Sequence, residues 1–265
     1  MYNIGDLQNE SRKIVNQKGR YQIMELVRDP SVWPSNAVSK YFMDKMHVHK
    51  RQVICMVDGN QFPPIVLQAG AMQWMVGDIR VNTGVQGAGD LLGKMVRGSV
   101  TGESAIKPVY NGVGMLALEP TYKHILFEDV ASWGPSGVVL EDGLFLACDG
   151  TIQHSIARRS NFSSAAAGGE GLFNLRLAGR GIAVLESYVP REELVTVELH
   201  NDQLKVDGPY ALMWSGSLQF SVERTTNTLI GSAASGEGLV NVYRGTGKVV
   251  MCPTAGKSSF MVNSD

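Results

Sequence analysis

The sequence predicts an all-β protein built from three similar units that share one core. The first observation behind this is a repeat. Gly102-Glu103, Gly169-Glu170 and Gly236-Glu237 stand 67 residues apart, and each leads through a short apolar run to a second glycine pair. Those pairs are Gly112-Val113-Gly114, Gly179-Arg180-Gly181 and Gly245-Thr246-Gly247. The second observation is alternation: Phe173, Leu175 and Leu177 face one side and Asn174 and Arg176 the other, and Val240 and Val242 oppose Asn241 and Tyr243. That period of two is the mark of a strand. The third is an upstream signature, Gly-x-x-Gln, at Gly70–Gln73, Gly150–Gln153 and Gly216–Gln219, where the amides are expected to tie neighbouring strands together.

Taken in chain order, Tyr21 to Val27 reads as a strand, and Pro30 and Pro34 bracket a turn. Asn36 then starts a helix through Ala37, Val38, Tyr41, Phe42 and Met46, whose spacing is near 3.6. This helix is expected to cover the β core, with a subunit contact as the alternative use of its apolar face. In the first unit, Gly-x-x-Gln precedes Gly-Glu by 32 residues, against 19 and 20 in the others, so that unit carries an insertion of 12 or 13 residues within 81–101. There Asp90 can cap a second short helix with Leu91, Leu92 and Met95 on one edge beside Lys94 and Arg97. Pro108 interrupts the strand after Glu103, which predicts an edge or bulged strand. Each second glycine pair is expected to form a hairpin or bulge between two strands. Asp142-Gly143 and Asp207-Gly208 read as hairpin turns. A unit of this length holds roughly six strands, and none looks able to bury its apolar face alone. The expectation is one domain, 1–265, with approximate repeats 1–120, 121–188 and 189–265.

A net charge of −1 offers no long-range attraction for nucleic acid or an acidic membrane. No basic-then-apolar leader opens the sequence, and no apolar stretch approaches the ~20 residues of a membrane helix. Cys55, Cys148 and Cys252 are odd in number and far apart, so they read as buried reduced thiols of a cytoplasmic protein.

Motifs that could carry chemistry fail on inspection. Ala255-Gly256-Lys257-Ser258 resembles the end of a phosphate-binding loop, but Met251 stands where its first glycine is required. Gly87, Gly89 and Gly93 do not match dinucleotide-binding spacing. His47 and His49 would share one face of a strand, yet no third metal ligand stands nearby. Gly134-Pro135-Ser136-Gly137 lacks the residue after serine that a nucleophile elbow needs. Glu103, Glu170 and Glu237 are the sharper case: three equivalent carboxylates either converge on a hard cation or accept hydrogen bonds at their own glycine turns, and the second reading is preferred. No catalytic residue, cofactor or metal is expected.

The strings Thr101-Gly102-Glu103-Ser104, Gly112 to Leu118, Gly168 to Phe173 and Gly236 to Val240 resemble the mitochondrial-biogenesis (altered inheritance of mitochondria) family, long described as a domain of unknown function. The similarity runs from about Arg51 to Pro253, and includes a Gly-rich loop before a basic short helix at Gly87 to Arg97. The resemblance implies three pseudo-symmetric β-sandwich-like repeats with the fold of the tryptophan RNA-binding attenuation protein, and it supplies no catalytic residues. It also implies a scaffold role. The function expected is thus that of a non-enzymatic scaffold or binding module, a homo-oligomer or the holder of a protein partner, docking through Leu91, Leu92, Lys94, Met95 and Arg97 or an open sheet edge. The alternative is a small-ligand or cation binder with its site between repeats.

Overall fold

The alternating apolar runs fold as expected into strands. The computed structural model describes residues 2–28, 31–84, 107–158, 173–208, 210–224 and 239–252, and these are nearly all β. The N-terminal part gives β1 (Lys13–Lys18), β2 (Tyr21–Glu25) and the helix α1 (Ala37–Lys45). The first unit gives β3 (Arg51–Asp58), β4 (Ile65–Leu67), β5 (Met72–Asn82) and β6 (Val109–Leu118). The second gives β7 (His124–Asp129), a 3₁₀ turn (Val130–Trp133), β8 (Val138–Leu140), β9 (Phe145–Asp149), β10 (Ile152–Arg158), β11 (Phe173–Gly179) and β12 (Ile182–Ser187). The third gives β13 (Val195–Asp207), β14 (Ala211–Ser215), β15 (Gln219–Arg224) and β16 (Leu239–Met251).

These strands form two sheets. One runs β1-β2-β3-β6-β4-β9-β12-β7, with β5 paired to β6; the other runs β10-β11-β8-β14-β16-β13, with β15 paired to β16. The first unit lies wholly in one sheet and the third wholly in the other. The middle unit alternates between them, placing β7, β9 and β12 in the first and β8, β10 and β11 in the second. A core cluster that takes Val66, Leu126, Phe145 and Leu185 from the first sheet and Leu140, Leu177, Met213 and Val250 from the second joins the two. Each such fully buried aliphatic side chain stabilises by roughly 1.5–3 kcal/mol. A second cluster around Tyr21, Cys55, Leu116 and Leu118 belongs to the first sheet, and a third, with Trp214, Phe220 and Tyr243 in mutual ring contact, to the second.

Each Gly-x-x-Gln lies at the turn into the first strand of an antiparallel ribbon: β5 with β6, β10 with β11, β15 with β16. Gln153 lies opposite Ala178 and Gln219 opposite Arg244, each partner one residue before the first glycine of its pair. The first ribbon is set in a different register, because Met72 and Trp74 lie opposite Leu118 and Ala117, and Asn111 faces Arg80 instead. The longer first unit thus has a longer ribbon. Gln73 does tie strands together, accepting from Gln52 Nε2 at 2.6 Å.

Several expectations are corrected. The second glycine pairs are not hairpin turns: Gly112 and Gly114 lie within β6, and Gly245 and Gly247 within β16. At Gly112, Gly114 and Gly247 glycine allows a close approach of neighbouring atoms, since a Cβ on Gly112 would lie 2.0 Å from the Asp78 carbonyl oxygen, whereas Gly245 has room for a Cβ and owes its place to φ 122°. Only Gly179-Arg180-Gly181 breaks the strand, where the chain leaves β11 for β12 in the other sheet. Asp142-Gly143 does make a turn but no hairpin, because β8 and β9 belong to different sheets; Asp207-Gly208 joins β13 and β14, which flank β16 without pairing to each other. Pro108 stands just before β6, and its carbonyl accepts from Leu67 N at 3.0 Å. β6 is therefore an interior strand, paired with β3, β4 and β5. The helix forms where expected, but it does not cover the core: α1 has no buried residue. The second helix, capped by Asp90, lies outside the described residues.

Candidate functional site

The residues singled out by the repeat, Leu91, Leu92, Lys94, Met95, Arg97, Glu103, Glu170 and Glu237, all lie outside the described residues, as do Gly87, Gly89, Gly93 and the Gly256-Lys257-Ser258 string. His47 and His49 are not on a strand. They follow α1 in the turn before β3, with ring centroids 6.1 Å apart and His47 at φ 55°. Among the described residues, no three His, Cys, Asp or Glu side chains group in a way that could hold a metal ion.

Folding brings together two groups of residues that the sequence keeps apart. Cys148 Sγ lies 3.3 Å from His154 Nε2, across the change of sheet between β9 and β10. Burial raises the Cys148 thiol well above its ordinary range, with Asp149 adding to the effect. Burial and the neighbouring Lys107 ammonium lower His154 to about 4. Both groups are therefore neutral near pH 7, which is the opposite of the thiolate–imidazolium arrangement a cysteine nucleophile uses. The second group surrounds Asp149. Its carboxylate accepts from Tyr21 Oη at 3.0 Å and from Ile182 N at 2.8 Å, and pairs with Arg20 Nε at 3.3 Å. Arg20 is 4% exposed and lies over the Phe62 ring. This group is a structural tie of β2 to β9 and β12.

A cleft of about 400 Å³ lies between residues of the second unit (Ser132 to Ser136) and the third (Glu198 to His200, Ser215, Ser217 and Thr246 to Lys248). Its shape depends on a bulge. Leu199 pairs with Gly247 and Asp202 with Gly245, so His200 and Asn201 together oppose Thr246, and Asn201, at φ 55°, donates its N–H to Thr246 Oγ1 at 2.9 Å. Bulges of this kind re-aim side chains. On the facing wall, the 3₁₀ turn is capped by Asp129, whose side chain accepts from Ala131 N. Trp133 is held from behind by its own donor bond to Glu128 Oε2 at 3.2 Å, and the Lys248 ammonium lies 4.1 Å over its ring. Ser132 Oγ donates to Asp129 O, Ser217 Oγ donates to Thr246 O, and Ser215 Oγ accepts from Lys248 N. These hydroxyls serve the backbone, and none is shown paired with His200 as a nucleophile would be with its base.

The second surface feature is α1. Val38, Tyr41, Phe42 and Met46 form a stripe 57–72% exposed, and Trp33, just before the helix, is 70% exposed. Met43, Lys40 and Asp44 face the other way, towards Val48, His49 and Tyr122.

The family model for mitochondrial biogenesis AIM24 matches residues 46–254. The chain belongs to this family. An uncharacterized protein of Streptococcus pyogenes serotype M6 is 31% identical over 193 residues, spanning 70% of this chain and 75% of that one. The crystal structure of another Streptococcus pyogenes protein aligns with a TM-score of 0.57 and 25% identity, covering 94% of this chain and 95% of that chain. In this AIM24-family chain the whole cleft falls inside the matched region, whereas α1 precedes it. No helix among the described residues is long and apolar enough to cross a membrane.

Sequence reading missed the cleft for a definable reason. Its walls come from four separated segments, 132–136, 198–200, 215–217 and 246–248, and no local pattern links them.

Proposed function

We propose that this AIM24-family chain is a non-enzymatic β scaffold that works through protein–protein contacts, seating the stripe of α1 in an apolar groove of a partner protein. The observation that supports this is the uncovered stripe itself. Among the described residues most other large apolar side chains are buried or half-buried, whereas Trp33, Val38, Tyr41, Phe42 and Met46 lie in solvent together on α1 and its two flanks, and contiguous apolar exposure of that kind marks an interaction site. A nine-residue helix is about 14 Å long. With a diameter of about 10 Å, one face of it covers on the order of 150 Å², far less than the roughly 800 Å² per partner of a stable interface between flat surfaces, so a helix-in-groove contact suits it better. Cys55, Cys148 and Cys252 are buried and none is in a disulfide, which accords with a reducing, cytoplasmic setting.

The test places a photo-crosslinking amino acid at Phe42 and, as a control, at exposed Gln203 in the full chain expressed in its host. The expected result is one defined protein adduct from position 42 that is missing from position 203 and weakened at least about tenfold by Trp33→Ala. Identical adduct patterns from both positions would reject the reading.

A further inference from the structure

We infer that the outer edge of β13 pairs antiparallel with β13 of a second copy of this chain, giving a two-fold dimer with one continuous sheet. β13 has 13 residues and no proline, and is about 44 Å long at the rise of an antiparallel strand. It ends the second sheet: its ladder partners all lie on β16, and among the described residues no strand pairs with its other side. An unpaired row of N–H and C=O groups is a template for another strand.

The bulge makes this strand complementary to itself. Val197, Leu199, Leu204 and Val206 all belong to or pack against the third core cluster, although the first two are odd-numbered and the last two even-numbered. The extra residue at His200-Asn201 shifts the alternation and brings all four to one face. Glu198 and Lys205 alternate with them and are exposed on the other face. In a two-fold antiparallel pair, opposed residues must share a face. With the axis between Asn201 and Asp202, Val197 stands opposite Val206 of the second copy, Leu199 opposite Leu204, and Glu198 opposite Lys205. Polar residues, His200 to Gln203, meet at the axis. Moving the register by one residue sets core-face side chains against solvent-face ones. Moving it by two sets Glu198 against Asp207 in one direction and against Gln203 in the other. Cross-strand pairs of opposite charge and of matched apolar groups stabilise a sheet, and like charges opposite each other destabilise it. Because the match is of one sequence with itself, the occupant of the edge is a second copy and not an unrelated strand.

The experiment is sedimentation velocity on the purified full chain from about 1 to about 100 µM, with Glu198→Lys, Lys205→Glu and the two combined. Both residues are exposed, and far-UV circular dichroism checks that each variant keeps the fold. The natural chain should pass from monomer to dimer across that range. Each single substitution opposes like charges twice in the dimer and should raise its dissociation constant at least about tenfold, whereas the combined exchange should restore it to within about threefold. A chain that stays monomeric, a dimer indifferent to the single substitutions, or one that the exchange does not restore would each overturn the assignment. Phe42→Asp should leave the dimer intact, and loss of the dimer in that variant would move the contact to α1 and overturn it too. The α1 reading fails or stands separately, since a crosslink from Phe42 goes to a different protein, while one from Gln203 to the facing strand would carry the mass of two copies of this chain.

Discussion

At the scale of single residues, Asp149 has the largest structural consequence for its size. It ends β9 and receives a hydroxyl, a guanidinium and a backbone amide. Arg20 is buried, and among the described residues its Nη1 and Nη2 atoms find no hydrogen-bond partner, while Asp149 pairs with its Nε and compensates its charge. Removing one member of a buried pair costs more than the pair contributes, because a charge is left in low dielectric. Asp149→Ala is therefore expected to destabilise by about 3–5 kcal/mol, and Tyr21→Phe by about 1 kcal/mol. The double substitution Arg20→Met with Asp149→Ala should recover much of the loss. Urea unfolding of the purified proteins measures all three, and a cost for Asp149→Ala below that of Tyr21→Phe would show that the pair is not what anchors β2. The sequence could not reveal this tie, since 128 residues separate Tyr21 from Asp149.

At the scale of elements, what could be read from the sequence was whatever depends on neighbours in the chain. Alternation at Phe173 to Leu177 and at Val240 to Tyr243 fixed the strands, and the 3.6 spacing from Ala37 to Met46 fixed the helix. What α1 packs against depends on the whole molecule, and there the expectation failed. The glycine pairs show the same division. A Gly-x-Gly string says that a side chain is forbidden, but a turn and a crowded strand forbid it equally. In β6 crowding is the cause: Gly112 has φ 133°, and a Cβ would meet the Asp78 carbonyl at 2.0 Å. Gly143 has φ 79° with open space around it. Gly112→Ala should thus cost on the order of 3 kcal/mol or more, adding steric displacement of β5 to backbone strain, while Gly143→Ala should cost about 1–2 kcal/mol from strain alone. Thermal unfolding of the two variants side by side distinguishes these causes, and equal losses would return Gly112 to the role of a simple turn glycine. The candidate site follows the same rule, because a cleft assembled from Ser132–Ser136, His200 and Lys248 has no local period to announce it.

At the scale of the whole molecule, the two sheets are joined by the middle unit, and the joint contains a half-buried histidine. His154, on β10 of the second sheet, contacts Cys148, on β9 of the first, and lies edge-on to Phe145. Desolvation, with help from the Lys107 ammonium, holds its pKa near 4 in the folded chain, against an ordinary value of 6.5. Between those two values the unfolded chain binds a proton that the folded chain does not. Stability therefore rises with pH across this window, and its contribution is lost as pH falls from about 6.5 towards about 4. His154→Gln removes the titration and keeps a polar group at the joint. Urea midpoints of both proteins at pH 7 and pH 4.5 separate this effect from the carboxylates, which titrate alike in each. The natural chain should lose more stability on acidification than the variant does. Parallel losses would mean that His154 is already protonated in the folded state and that the joint between the sheets does not sense acid through it.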